Sequence, residues 1–169
     1  KISSPKNPLN PYGKSKKEAF NLVKNYRVKK KIKAYNAILF NTESFLRKKD
    51  FLIPKICFAA INAYKYKTKT FFNNIIVSRE WNWCEEQCEL MLKFLKKKPQ
   101  DFILSNGKSY SIKQMITFAF GYFNLNYKKF VYAKNNKLNR YEVKTKKSDY
   151  LNCLKRNKIK RKIKIFGKI

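Results

Sequence analysis

Asn10-Pro11-Tyr12-Gly13-Lys14-Ser15-Lys16 reads as the start of a helix, and Ala34-Tyr35-Asn36-Ala37-Ile38-Leu39-Phe40 as a nearly apolar strand, which ends at Asn41-Thr42-Glu43-Ser44. Asn10 has the short polar side chain of an N-cap, and Pro11 suits the first helical position, where its missing N–H costs nothing. A strand that is apolar on successive residues is expected where both faces of a sheet are covered, as in parallel α/β sheets. Tyr12 and Lys16 lie four residues apart and so share a helix face. An ammonium beside a phenol favours the phenolate, which is the form a general base needs. Tyr26 and Lys30 repeat the spacing, and a chain rich in lysine and tyrosine produces such pairs by chance, so context must choose between them.

Outward from this stretch, the first helix is expected to run to about Tyr26. Tyr12, Ala19, Phe20, Val23 and Tyr26 form an apolar stripe, and the basic run Arg27–Lys33 ends the helix. Asn41–Asp50 reads as a polar loop and Phe51–Tyr66 as a helix with Pro54 in its first turn. Thr70–Val77 is β-rich, and a helix from Trp83 to Lys97 is stopped by Pro99. Asp101–Leu104 reads as a short buried strand, Asn106-Gly107 as a turn, and Ser111 as the N-cap of a helix through Phe123. A small strand at Phe130–Tyr132, a helix at Ser148–Arg156 and a basic tail at Lys158–Ile169 complete the reading. Alternating strands and helices predict an α/β protein.

The 169 residues suffice for a domain with a real core, and 44% hydrophobic with 16% aromatic content argues against disorder. No run of about 20 apolar residues predicts a transmembrane helix. No signal peptide is visible, and the start at Lys1 rather than methionine points to a fragment. The net charge of +31 has two readings. One is a nucleic-acid or anionic-membrane footprint. The other is the residue usage of an AT-rich genome, and it is favoured because only Arg27, Arg47, Arg79, Arg140, Arg156 and Arg161 break the lysine bias, which is spread along the whole chain. Sites where phosphate geometry matters usually favour the arginine fork. Cys57, Cys84, Cys88 and Cys153 make no metal motif without any histidine, so no metal is expected and reduced thiols are.

Taken together in order, several segments resemble the extended short-chain dehydrogenase/reductases, and within them the GDP-mannose 4,6-dehydratase family. The segments are Asn10–Lys16, Asn25-Tyr26-Arg27, Ala37–Arg47, Phe51–Ile56, Arg79-Glu80-Trp81, Asp101–Ser109 and Arg140-Tyr141-Glu142-Val143. The resemblance runs almost without gaps from Asn7 to about Asn124 and more loosely to Lys155. It implies the C-terminal part of an NAD(P)-binding Rossmann fold interleaved with a small α/β lobe that binds a nucleotide-sugar. Residues 1–44 would end the Rossmann domain, 45–80 would enter the lobe, 81–107 would return to the sheet, 108–157 would complete the lobe, and 158–169 would be a tail.

The implied activity is NADP-dependent: oxidation of GDP-mannose at C4, loss of water across C5 and C6, and reduction at C6. Tyr12 would take the proton of the sugar 4-hydroxyl, and Lys16 would hold the nicotinamide ribose and activate the phenol. Arg47 matches an arginine that contacts NADP, and Thr42 stands on the cofactor side where the family usually has a histidine. Asn41, Glu43, Lys55, Arg79 and Arg140 match the substrate side, with the two arginines suited to a diphosphate. Trp81 is assigned to core packing. The family also implies a homo-oligomer, a cytoplasmic location, and neither a nucleic-acid nor a membrane partner.

Lys48 and Asn73 replace family glycines, and Tyr141 replaces a proline. The only glycines are Gly13, Gly107, Gly121 and Gly167, so no glycine-rich dinucleotide loop is present. That loop, and the family's threonine and glutamate for dehydration, are expected upstream of Lys1. The segment by itself is expected to be inactive, its strands lacking their sheet neighbours. The rival readings are another nucleotide-sugar epimerase or dehydratase, a basic nucleic-acid-binding module, and a degenerate scaffolding domain.

Overall fold

The computed structural model describes residues 2–134 and divides them into two units, residues 2–40 with 82–107 and residues 41–81 with 108–134. Arg140, Tyr141, Cys153, the expected helix at Ser148–Arg156 and the basic tail lie outside the described residues.

The first unit begins with helix α1, Pro11–Lys29. The Asn10 side chain accepts a hydrogen bond from Gly13 N at 2.7 Å, as expected of an N-cap. The helix runs three residues past Tyr26, and Lys30 caps it by donating its backbone N–H to the Tyr26 carbonyl. Along the apolar stripe Phe20 and Val23 are half-buried and Tyr12, Ala19 and Tyr26 are exposed, and α1 has no fully buried residue. Helical periodicity identifies a face without saying what covers it.

Strand β1, Asn36–Leu39, is shorter than Ala34–Phe40 and pairs in parallel with β5, Asp101–Leu104, in the register Asn36↔Asp101 to Leu39↔Leu104. Helix α3, Cys84–Leu95, buries Gln87, Leu90 and Phe94, and Phe94 stacks on Phe102 with centroids 4.0 Å apart. Leu90, Phe94, Phe102, Ile103 and Leu104 make this unit's core. α1 is tied to the strand pair by a polar cluster. Arg27 donates to Asp101 Oδ1 at 2.6 Å and to the Ala34 carbonyl at 3.2 Å, while Asn36 donates to Asp101 Oδ1 at 2.9 Å and to the Phe20 carbonyl at 3.1 Å. Asn36 is only 9% exposed, and its amide meets the need of a buried polar group for partners by donating to one backbone carbonyl and one carboxylate.

In the second unit, helix α2, Leu52–Tyr66, places Ile56, Ala59, Ala60 and Ala63 on one buried face, and α4, Ile112–Gly121, packs on it through Ile112, Ile116 and Phe120. α4 starts as expected at Ser111, with a full capping box: Gln114 N donates to Ser111 Oγ at 3.1 Å and Ser111 N to Gln114 Oε1 at 2.8 Å. It ends at Gly121, before Phe123, and a 3₁₀ turn follows at Tyr127–Lys129. Strand β3, Thr70–Asn73, pairs in parallel with β7, Val131–Lys134.

The strand reading needs three corrections. Asn41–Glu43 is a strand, β2, rather than the start of a loop. Ser78–Trp83 is β4, and it lies between β2 and β6, Ser109–Ser111. The β-rich reading of Thr70–Val77 holds only to Asn73, beyond which Asn74 takes a positive φ of 28°. Helix α3 begins one residue later than Trp83 and stops at Leu95, because β4 claims Trp83. β2, β4 and β6 carry Glu43, Arg79, Glu80, Asn82 and serines, so no apolar alternation announced them. Their order comes from pairing, with Ser78↔Ser111, Arg79↔Tyr110 and Glu80↔Ser109 antiparallel.

Candidate active site

In the first unit, Tyr12 and Lys16 occupy the first two turns of α1, and Lys16 Nζ lies 5.3 Å from the centroid of the Tyr12 ring. Tyr12 is 72% exposed, so its hydroxyl is accessible to a reactant. The helix start is fixed from two sides: the Asn10 cap holds the Gly13 amide, and a Cβ on Gly13 would sit 2.9 Å from Pro8 Cβ. Glycine in Tyr12-Gly13 therefore reflects a close approach by the lead-in segment. The competing pair is placed differently: Lys30 is the C-cap of α1, outside the helix that carries Tyr26.

In the second unit, Asn41, Thr42 and Glu43 form β2. Asn41 donates its amide to the Glu80 carbonyl at 3.0 Å, which fastens β2 to β4. Glu43 is 5% exposed, and its Oε2 pairs with Arg47 Nε at 3.5 Å without making a hydrogen bond. Burial pushes the Glu43 carboxyl above its ordinary pKa, and the opposing pull of Arg47 is the smaller effect. Arg47 also lies over the Phe51 ring, with Cζ 3.9 Å from the centroid. The loop Ser44–Asp50 is thus short enough to bring strand end, guanidinium and helix cap together. Its backbone closes through Arg47 N to the Ser44 carbonyl and Phe51 N to the Lys48 carbonyl.

Lys55, on the first turn of α2, places Nζ 5.1 Å from the Phe72 ring centroid. Arg79, on β4, donates from Nη1 to the Ser78 carbonyl at 2.9 Å. Trp81 is buried, with its indole N–H directed to the Tyr110 carbonyl at 3.4 Å, in keeping with a packing role. Arg140 lies outside the described residues. Among the site residues, the structure therefore brings together Tyr12 with Lys16 and Glu43 with Arg47. Sequence reasoning assigns Phe51 no role at the site; the spacing Arg47-x-x-x-Phe51 is the signal that could have found it.

Cys57, Cys84 and Cys88 are free thiols. Among the described residues no three His, Cys, Asp or Glu side chains cluster as a metal site, and no helix is long and apolar enough to cross a membrane.

Comparison with known proteins gives the fold and the family. RMD from Pseudomonas aeruginosa complexed with NADPH superposes with a TM-score of 0.79 at 16% identity, over 93% of this chain and 52% of that one. dTDP-glucose 4,6-dehydratase from Bacillus anthracis in complex with NAD gives 0.78 at 14% identity, over 96% and 50%. The fold is accordingly the α/β Rossmann-type fold of these proteins, represented here in part. In sequence, GDP-mannose 4,6 dehydratase 1 of Arabidopsis thaliana is 34% identical over 150 residues, which is 87% of this chain and 41% of the plant protein. The human GDP-mannose 4,6 dehydratase is 30% identical over 71% of this chain and 33% of its own length. The chain thus spans well under half the length of these curated relatives. The family described as GDP-mannose 4,6 dehydratase matches residues 1–163. By fold, by residue order and by that match, the chain belongs to the GDP-mannose 4,6-dehydratase family.

Proposed function

We propose that the polypeptide carrying this chain is an NADP-dependent GDP-mannose 4,6-dehydratase and that this chain contributes its catalytic base and part of both ligand sites. The observation that carries the reading is the Tyr12–Lys16 pair, held 5.3 Å apart on a capped, accessible helix start within a chain of this family. The residues suit a nicotinamide dinucleotide phosphate: Lys16 is exposed and carries an ammonium, and Arg47 offers a partly exposed guanidinium that pairs with Glu43 through Nε. The dinucleotide, when bound, supplies the hydride acceptor and donor.

In this reading Tyr12 Oη removes the proton of the sugar 4-hydroxyl, and Lys16 stabilises the phenolate while orienting the nicotinamide ribose. Oxidation comes first because a ketone at C4 acidifies the C5 hydrogen and so opens the way to loss of the 6-hydroxyl as water. Thr42 and Arg47 belong to the cofactor side. Lys55, Arg79 and Arg140 supply positive charge to the nucleotide diphosphate. Asn41 acts through the β2–β4 connection as well as at the strand end, where open α/β sheets bind ligands. In the first unit Tyr12 and Lys16 serve the proton transfer and the nicotinamide ribose; in the second, Thr42 and Arg47 serve the dinucleotide, and Asn41, Lys55 and Arg79 serve the nucleotide-sugar.

The test is Tyr12→Phe in the full-length protein. Turnover of GDP-mannose to GDP-4-keto-6-deoxymannose should be lost while NADPH binding remains. Persistent turnover would remove Tyr12 as the base. Product analysis with several nucleotide-sugars distinguishes this dehydratase from another member of the superfamily, a distinction sharpened by Thr42 at a usual histidine position.

A further inference from the structure

Glu43 is an uncomfortable residue for a strand end. It is 5% exposed, its Oε2 accepts no hydrogen bond, and its ion-pair partner Arg47 sits at a long 3.5 Å. A buried carboxylate without hydrogen bonds normally costs more than one such pair returns. Arg47 is in the complementary position. Its side chain is 37% exposed, Nε faces Glu43, and its flat face rests on Phe51 at 3.9 Å. A guanidinium paired at Nε and stacked on one face has fewer rotamers left than a free one. Its outer edge, Nη1 and Nη2, is the part suited to a bidentate grip on an anion.

We infer that Glu43 and Phe51 are positioning residues that hold Arg47 in one orientation, so that its outer N–H edge is preset for a phosphate oxygen of the dinucleotide. The inference rests on the proposed cofactor role of Arg47 and gives Glu43 a task different from direct contact with the sugar. The anion then meets a guanidinium whose rotamer entropy is already lost, and an immobilised side chain of this kind is worth roughly two- to tenfold in affinity. The sign is diagnostic. Glu43 carries a negative charge near the anion, so charge alone predicts that its removal tightens binding. Positioning predicts that removal weakens it.

The experiment measures NADPH affinity by fluorescence in the full-length protein, together with thermal unfolding. Arg47→Ala should weaken NADPH binding by about ten- to hundredfold, the worth of charged hydrogen bonds. Glu43→Gln should weaken it by about two- to tenfold without lowering thermal stability. In the Arg47→Ala background, Glu43→Gln should have no further effect, because its only route to the ligand is gone. Phe51→Leu should act in the same direction and Phe51→Tyr should restore affinity. Since Phe51 is 45% exposed, these variants carry the test if Glu43→Gln fails to fold. Unchanged or tighter NADPH binding in Glu43→Gln overturns the inference, as does a weakening that persists in the Arg47→Ala background. Unchanged binding in Arg47→Ala itself removes the cofactor role of Arg47 and the positioning role with it.

Discussion

The attachment of α1 is the best place to break this structure deliberately. Arg27 makes two connections at the far end of the helix, to Asp101 Oδ1 and to the Ala34 carbonyl. The side chains of the ion pair are only 14% and 12% exposed, so solvent screens the pair weakly. Arg27→Ala removes two hydrogen bonds donated by a charged guanidinium, one to a carboxylate and one to a backbone carbonyl, each worth about 1.5–3 kcal/mol. Asn36 still serves Asp101 Oδ1, which limits the loss, so the expected destabilisation is about 2–4 kcal/mol. Arg27→Lys keeps the charge but cannot fork to both acceptors, and about 1 kcal/mol should be lost. The pair Arg27→Met with Asp101→Leu should lose much less than the two single changes combined, because neither charge is then stranded. Urea unfolding of the full-length protein measures each value. The geometry adds a functional consequence. Tyr12 lies about 22 Å along the helix axis from Arg27, and a tilt of about 5° at the anchor would move it by about 2 Å. Misplacement by about 1 Å can cost roughly a hundredfold in rate. Turnover in Arg27→Lys should therefore fall more steeply than its stability. A loss below about 0.5 kcal/mol in Arg27→Ala, within the range of ordinary surface changes, would refute this account of how α1 is held.

Ser111→Ala removes the capping box of α4 and should cost about 1 kcal/mol in urea unfolding. Phe94→Ala deletes the ring stacked on Phe102 in the first unit and should cost about 3–5 kcal/mol, read as a shifted denaturation midpoint. Gly13→Ala should lower turnover, despite alanine's better helix propensity, because its Cβ meets Pro8 at 2.9 Å and must displace the lead-in segment. Glu43 gives a pH prediction: its folded-state pKa lies above the ordinary value, so the folded state holds the proton more tightly, and stability should fall as pH rises from about 4.5 through the raised pKa. Arg47 and the Cys57 thiol are the groups with which Glu43 interacts electrostatically, and Glu43→Gln should flatten the dependence in pH-dependent unfolding.

Local chemistry made part of the architecture legible. Asn10 before Pro11, Ser111 as an N-cap, and the unbroken apolar run Phe102-Ile103-Leu104 each carry their own cause, and the structure forms α1, α4 and β5 where those causes lie. β2, β4 and β6 were not legible because pairing, not periodicity, makes them strands. Glu80 is 2% exposed and Asn82 3%, polar residues that a pattern-based reading sends to the surface. The stripe on α1 shows the limit of periodicity: the apolar face is present on the helix, and the described residues leave most of it uncovered. At the site, the Tyr12–Lys16 spacing could be read along one helix. The Arg47–Phe51 stack required knowing that Ser44–Asp50 folds back onto the start of α2.

The places where local rules and the structure disagree have a common chemistry. β2 and β4 hold Glu43 and Glu80 almost fully buried in a chain with only 10 acidic residues against 41 basic ones. A surface already so positive does not need these two carboxylates for solubility, and burying Glu43, whose Oε2 accepts no hydrogen bond, works against stability. What a buried carboxylate can do, and an apolar residue cannot, is fix the direction of a cation. With many flexible lysines available, charge alone is plentiful and orientation is scarce. Glu43 orients Arg47 in the second unit, and Asp101 orients Arg27 in the first. Each of these acids restricts one of the few arginines to a single geometry, and in the first unit that geometry sets the line of the helix that carries Tyr12 and Lys16. The proposed reaction needs atoms placed to within about an ångström, and for that purpose lysine-rich surface charge is no substitute for cations whose direction is preset.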